Sequence, residues 1–278
     1  IHLSGDESLM PRLQEHYRSN AFGKFDDDVI GVRNNGQSIE VIGCAELPAE
    51  HSEARSIGRN LDGCRIGFDL GGSDRKAAAV IDGEVKFSEE LVWDPYFEPN
   101  PDYHYKGIMD SLKRAAAHLP RVDAIGGSAA GCYSHNRVTW ASLFRGVDQE
   151  LFDEKVRGMF LKIAEEWGVP LDVINDGEVT ALAGSMAMGK NGVLGIAMGT
   201  SQGGGYIDME GNITTWLSEL AFAPVDLHPK APADEWSGDL GCGAQYFSQQ
   251  AVGRLLPASG IEYDKTLKLP EGQKVKRK

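Results

Sequence analysis

The stretch LDVINDGEVTALAGSMAMGKNGVLGIAMGTSQGGGY, residues 171–206, decides the fold. Its first apolar run, 171–174, fits a buried strand, and Asn175, Asp176, Gly177 and Glu178 follow where that strand runs out. Val179, Leu182, Ala183 and Met186, spaced three and four apart, predict a helix that stops at Gly189. A second apolar run, 193–198, then meets Gly199, Thr200, Ser201, Gln202 and three glycines, 203–205. Ligands of open α/β sheets bind beyond the carboxyl ends of strands, so both polar clusters fall where chemistry is expected. A lone carboxylate and a glycine-rich turn on neighbouring strands suit phosphate chemistry.

The same arrangement occurs earlier in the chain. Residues 64–73, CRIGFDLGGS, predict a strand running into two glycines; a second strand, 76–81, turns at Asp82-Gly83 and returns over 84–87. Asp-Gly between two β-prone runs is a strong hairpin signal. Gly71 and Gly72 let the backbone wrap closely round an anion, with positive φ open to them, and Ser73 adds a hydroxyl donor. Asp69 would face a phosphate and could hold a divalent cation, which prefers oxygen ligands. Taken alone, a tight hairpin with a capping aspartate is the better reading. Strand, glycine turn and hairpin recur at 65–87 and 193–216, and that echo is the most informative feature of the sequence.

Elsewhere the pattern is plainer. Residues 9–17 predict a short helix, 39–45 a strand, and the charged stretch 46–60 a connector. A proline- and aromatic-rich loop, 95–105, precedes a helix carrying Ile108, Met109, Leu112, Ala116 and Leu119 on one face. A strand at 122–125 enters the polar turn 126–131, which contains Ser128. His135 and Asn136 lie within reach of a hydroxylated ligand, although a surface-loop role is favoured for both. Asp148 is expected to cap one long amphipathic helix ending at Gly168, its apolar face being core packing. A hairpin at 206–216, a three-proline loop and a helix over 244–256 complete the reading.

A net charge of −13 argues against a nucleic-acid surface, and the basic cluster at 274–278 reads as a solvated end. No apolar run is long enough to span a bilayer and no signal-peptide pattern is present, so no membrane partner is expected. The four cysteines are scattered without paired spacing, which makes a reducing, cytoplasmic setting the default. Apolar helices and an acidic surface permit a homodimer.

Two phosphate-type hairpins flanking a strand that ends in Asn-Asp resemble the actin-like ATPase and sugar-kinase superfamily, and within it the ROK family of glucokinase-like enzymes and repressors. The segment 67–73 is similar to the first phosphate motif, with Ser73 where threonine is usual; Asn175-Asp176 is similar to the family's Asn-Asp, whose aspartate is the catalytic base; 199–205 is similar to the second phosphate motif. The order of the three motifs over about 64–250 is far more specific than any one of them. The resemblance implies an α/β, two-lobed actin-like ATPase (ribonuclease H-like) fold with mixed sheets flanked by helices. It assigns an N-terminal extension to 1–61, a first lobe to 62–174 and a second lobe to 175–278, the last lacking a convincing adenosine motif at its C-terminal end.

The resemblance also implies ATP and Mg²⁺ as cofactors and a small sugar as acceptor. Asp69, Gly71, Gly72, Ser73, Gly199, Thr200, Ser201 and Gly203 would serve the nucleotide phosphates, with Asp69 positioning Mg²⁺. Asp176 would take the proton from the attacking hydroxyl, and Asn175, Glu219, Ser128 and His135 would contact the sugar. An N-cap is the other role open to Asp176, and its neighbours favour the base. The family's sugar-contacting Gly-Glu-x-Gly-His falls on 218–222, where only Glu219 survives and Phe222 replaces the histidine. Its zinc motif falls on 241–245, leaving Cys242 alone and Gln245 where a carboxylate is usual; one thiol cannot complete a four-ligand site, so no structural zinc is expected. A sugar- or nucleotide-sensing protein without turnover, and a nucleotide hydrolase, are the alternatives. The stretch 1–61, with its acidic 26–28 and no clear helix-turn-helix, does not look like a repressor's DNA-binding segment.

Overall fold

A computed structural model of the chain describes residues 1–50, 53–199, 201–214, 219–234 and 236–260. Its larger sheet has five strands. Strand β1, Cys64–Leu70, alternates buried and half-buried residues, putting Cys64, Ile66, Phe68 and Leu70 into the core. It pairs antiparallel with β2, Asp74–Ile81, which turns at Asp82 and Gly83, both at positive φ, into β3, Glu84–Val92. Two consecutive positive φ values make the primed turn whose twist matches a tight hairpin.

Helix α1, Pro101–Ala116, starts earlier than the apolar spacing alone suggests. Asn100 accepts a hydrogen bond from the Asp102 amide and Pro101 occupies the first turn, so half of the expected 95–105 loop is helix. Strand β4, Ala124–Ala129, lies parallel to β1. A small hairpin, β5 (Cys132–Ser134) and β6 (Arg137–Trp140), follows it. The long helix expected from Asp148 is broken: Asp148 does cap a short turn, but the chain kinks at Gly158 and only α2, Met159–Trp167, is regular. The break keeps Phe152, Val156, Met159, Phe160 and Ile163 buried together, as their spacing requires. Strand β7, Leu171–Asn175, lies parallel to β4 and completes the order β7-β4-β1-β2-β3.

Helix α3, Asp176–Met188, leads to the second sheet: β8, Val193–Met198, β9, Gln202–Ile207, and β10, Ile213–Thr214, all antiparallel. Its fourth strand comes from far upstream, since Ala54 and Arg55 pair with β10. Arg59 Nη2 donates to Ser185 Oγ at 2.7 Å and to Asn191 Oδ1 at 3.0 Å, so this connector is bound to the second sheet and α3. Upstream of it, the helix Leu9–Ser19 forms as expected, followed by a helical segment, Ala21–Asp26, that the apolar spacing did not suggest. Of the expected strand at 39–45 only Ile42–Gly43 pairs, in parallel with His2–Leu3.

The three glycines 203–205 are strand, not turn, and the reason is packing. A Cβ on Gly205 would lie 2.4 Å from the Glu178 Cα, and one on Gly177 would lie 2.4 Å from the Gly204 backbone. Bare backbone on both sides lets α3 press onto β9. Among the described residues the largest core lies between the first sheet and α1 and α2, a smaller one surrounds Ile174, Ala181, Leu182, Ile207 and Ile213, and a third gathers Ala221, Cys242 and Ala244. Helix α4, Gln249–Ala258, is capped by Ser248, and its first amide donates to the Gly199 carbonyl at 2.9 Å. The expected helix over 244–256 is therefore shorter and begins with a separate single turn, Gly243–Gln245. No helix among the described residues is long and apolar enough to cross a membrane.

Candidate active site

Three chain reversals converge where β1, β7 and β8 end. The first is the turn 71–73. Gly71 N donates to the Asp74 carbonyl at 2.9 Å, while the Trp93 indole N–H holds the Gly71 carbonyl at 2.7 Å. Neither Gly71 nor Gly72 adopts the positive φ that the sequence allows. Gly72 instead leaves room for Tyr96: a Cβ there would sit 2.0 Å from the tyrosine hydroxyl oxygen, so the ring would have to move. Ser73 Oγ donates to Asp74 Oδ2 at 2.7 Å.

The second reversal is the start of α3. Asn175, not Asp176, is its N-cap: Asn175 Oδ1 accepts from Gly177 N at 2.8 Å, and Glu178 reaches back to the Asn175 amide, forming a capping box. Asn175 Nδ2 donates to the Gly131 carbonyl at 2.8 Å and to Glu219 Oε1 at 3.0 Å. Both sides of the amide are occupied, so Asn175 acts as a strut. Asp176, released from capping, occupies the first helical position, and β9 passes close enough that a Cβ on Gly203 would lie 3.3 Å from its Oδ1. The third reversal is the β8–β9 turn, where Gly199 N donates to the Ser201 carbonyl at 3.0 Å.

Gly71, Gly72, Ser73, Asp176, Gly199, Ser201, Gly203 and Glu219 all line one cavity of about 300 Å³. Thr200 lies outside the described residues. Asp69 lines an adjoining groove of about 1190 Å³, shared with Ser128, Gly71, Lys76 and Asp176, and its Oδ1 accepts from Ser128 Oγ at 2.8 Å. Ser128 thus anchors Asp69. His135 lines neither space: it is exposed in the β5–β6 turn, at positive φ, with Nδ1 against Ser134 Oγ. Asn136 bonds the β7 backbone at Leu171 and Val173. Cys242 is a buried free thiol packed with Ala221, Ala244 and Phe222.

Several lining groups were not apparent from the sequence. Lys76 stands opposite Asp69 in the β1–β2 register, and its ammonium bonds Asp74 Oδ1 and lies 3.4 Å from Asp69 Oδ2. Burial pulls the Lys76 pKa down, but the bond to Asp74 and the charges of Asp69 and Asp74 outweigh it, so it stays raised and the lysine stays charged. The hairpin register was the available signal for this pair. Trp140, Arg145 and Trp236 also line the cavity, from segments nothing in the sequence links to the motifs.

The carboxylates repel one another. Burial, reinforced by the charge of Asp69, raises the Asp176 pKa above its usual range. Burial, with Asp176 beside it, pushes Glu219 up to about 8, and burial pushes Glu178 up to about 7. A folded state that holds the Glu219 proton binds more protons than the unfolded chain between the ordinary value of 4.5 and about 8. Its stabilising contribution is therefore complete below 4.5 and lost as pH rises through about 8. Glu219→Gln is expected to flatten that decline in a series of urea midpoints; parallel pH profiles for both proteins would refute it.

No protein-family model matches the chain, and no curated protein matches it by sequence. Solved structures do match. The chain is 23% identical to a ROK family glucokinase from Streptomyces griseus, solved in complex with glucose and AMPPNP, over 71% of this chain and 62% of that one, with a TM-score of 0.56. It is 21% identical to a ROK hexokinase from Thermus thermophilus, covering 72% and 65%, TM-score 0.52. A ROK family transcriptional regulator, a homologue of the E. coli MLC protein, matches at 18% identity over 76% and 55%, TM-score 0.57. The fold of this chain is therefore that of the ROK kinases and regulators, the two-lobed actin-like ATPase architecture. The chain spans between 55% and 65% of the length of these three structures.

Proposed function

We propose that the chain is a divergent ROK-type phosphotransferase that moves a phosphoryl group from ATP to a sugar hydroxyl. One observation carries this reading: the Asp176 carboxylate shares a single cavity with two glycine turns from different sheets. Phosphoryl transfer asks for positioning and charge neutralisation more than covalent chemistry. Amides of the 71–73 and 199–201 turns would hold phosphate oxygens, and Asp176 would accept the proton of the attacking hydroxyl. Glu219, fixed by Asn175, would orient the acceptor.

The donor set fits Mg²⁺. Among the described residues no group of three or more His, Cys, Asp or Glu side chains could hold a metal by itself. Mg²⁺ asks for less, commonly one or two carboxylates with phosphate oxygens and water completing its shell. Asp69, anchored by Ser128 at a strand end, would supply the protein's share, and a bound Mg²⁺ would neutralise phosphate charge. Lys76, between Asp69 and Asp74, provides a fixed positive charge at the same turn.

The test is incubation with ATP, Mg²⁺ and a panel of hexoses and N-acetyl sugars, measuring ADP. Release that depends on the sugar supports the kinase. Release without it means a hydrolase, and saturable sugar binding without release means a sensor.

A further inference from the structure

We propose that Trp140, Phe222 and Trp236 form an aromatic corner that selects the acceptor, and that the class selected is a closed-ring sugar with a continuous C–H face rather than an open-chain polyol. The inference rests on the phosphotransferase reading for the identity of the site, but its geometry stands separately. All three side chains line the cavity that holds Asp176 and Glu219. Their ring centroids are 5.9–6.1 Å apart and their planes meet at 51–57°, so they make a concave corner and not a flat stack.

Phe222 occupies the position at which the resemblance leads one to expect a polar sugar contact. A ring there cannot hydrogen-bond a hydroxyl, but it offers dispersion contact and a negative π face to C–H groups. The same cavity holds Asp176, which can accept a hydroxyl hydrogen bond, and Glu219, whose protonated carboxyl can donate one as well as accept. A pyranose matches that division, with hydroxyls round its rim and C–H bonds on its faces. Trp140 is 5% exposed, so its ring meets the cavity over a small area and is held by its neighbours.

The corner is braced from behind. Phe25, on the helical segment Ala21–Asp26, packs edge-on against Trp236 with centroids 5.4 Å apart and against Phe222 at 6.0 Å. The N-terminal segment, which has no counterpart in the family motifs, would thus act as a positioning element for acceptor choice.

Two of the rings are indoles, so intrinsic fluorescence of the full chain reports on the corner. Glucose, mannose and N-acetylglucosamine are titrated against sorbitol and mannitol. Ring sugars are expected to change the emission saturably, and the open-chain polyols to leave it unchanged. Phe222→Ala is expected to raise the half-saturating concentration about tenfold or more, Trp236→Ala to do likewise, and Phe25→Ala to raise it by less. No saturable response to any ring sugar, or equal responses to both groups, overturns the proposal. So does a Phe222→Ala protein that melts earlier yet binds unchanged, because the rings would then be packing alone. ADP release separates this from the function itself. If sorbitol supports release as well as glucose does, the kinase stands and the corner falls. Ring sugars bound on the corner with no release from any alcohol mean the reverse.

Discussion

Replacing Asp176 with asparagine is expected to lower the turnover of acceptor-dependent ADP release by about 10²–10⁴-fold, the usual worth of a general base. The affinity for ATP should hardly change. Asparagine keeps the shape of the side chain, and its Oδ1 can still accept from the Gly177 amide, a contact of 2.9 Å in the parent chain. The turns that would cradle phosphate are made by other segments, so the substitution removes the proton acceptor and little else. Burial and the Asp69 charge raise the basicity of Asp176, which makes it a stronger base than an exposed aspartate. A second readout separates chemistry from mere structure. The Asp176 charge is one cause of the raised Glu219 pKa, so in the variant Glu219 should titrate lower, and the fall in stability above pH 4.5 should be smaller and end at a lower pH. Turnover within about tenfold of wild type would show that Asp176 is not the base, since even weak general-base catalysis exceeds that.

What the sequence made legible is what lies next to itself along the chain. Asp69, the 71–73 turn and Asp176 could be named because each follows an apolar run directly, and strand ends are where α/β sheets bind ligands. The Asp82-Gly83 turn and the Gly189 stop were readable for the same local reason. Groups that reach the cavity across the fold were not. Trp140 and Trp236 come from a hairpin and a loop whose sequences carry no periodic signal, and Phe25 arrives from a segment with no motif at all. Lys76 lies between these cases: seven residues beyond Asp69, it becomes its partner only once the β1–β2 register is drawn.

His135 shows the opposite limit. It follows a glycine-rich polar stretch and so looked reachable, but the β5–β6 hairpin directs its turn to the surface. Asn175 and Ser128 reach the site by way of other residues, one bracing Glu219 and the other Asp69. Residue type at a strand end thus predicted proximity better than role. The glycines 203–205 make the same point about secondary structure. A run of glycines reads as a loop from composition, yet here the bare backbone serves a helix–strand contact, visible only when Gly177 is set opposite Gly204.

That contact yields the largest expected effect on stability. Gly177→Ala would place a methyl group 2.4 Å from both the nitrogen and the oxygen of Gly204. Neither atom belongs to a side chain that could rotate away, so α3 or β9 must move bodily. Two effects oppose the loss: alanine is favoured over glycine within a helix by about 1 kcal/mol, and it restricts the unfolded chain by roughly 0.4–1 kcal/mol. Overpacking against backbone that cannot rotate away is expected to reach or pass the upper end of the usual ~1–3 kcal/mol and to leave a net loss of about 1–2 kcal/mol, seen as a lower urea midpoint at unchanged slope. Gly205→Ala, 2.4 Å from the Glu178 Cα, should behave alike. The double variant should lose less than the sum, because a helix already displaced from β9 has room for the second methyl. Gly126→Ala is the control, with nothing within 4 Å of the added carbon, and should unfold close to wild type. The shift would also carry Asn175 and Asp176 away from the β8–β9 turn, so turnover should fall even at temperatures where Gly177→Ala remains folded. A Gly177→Ala protein as stable and as active as its parent would mean that α3 does not lie directly on β9, and the convergence of the two turns on Asp176 would lose its structural basis.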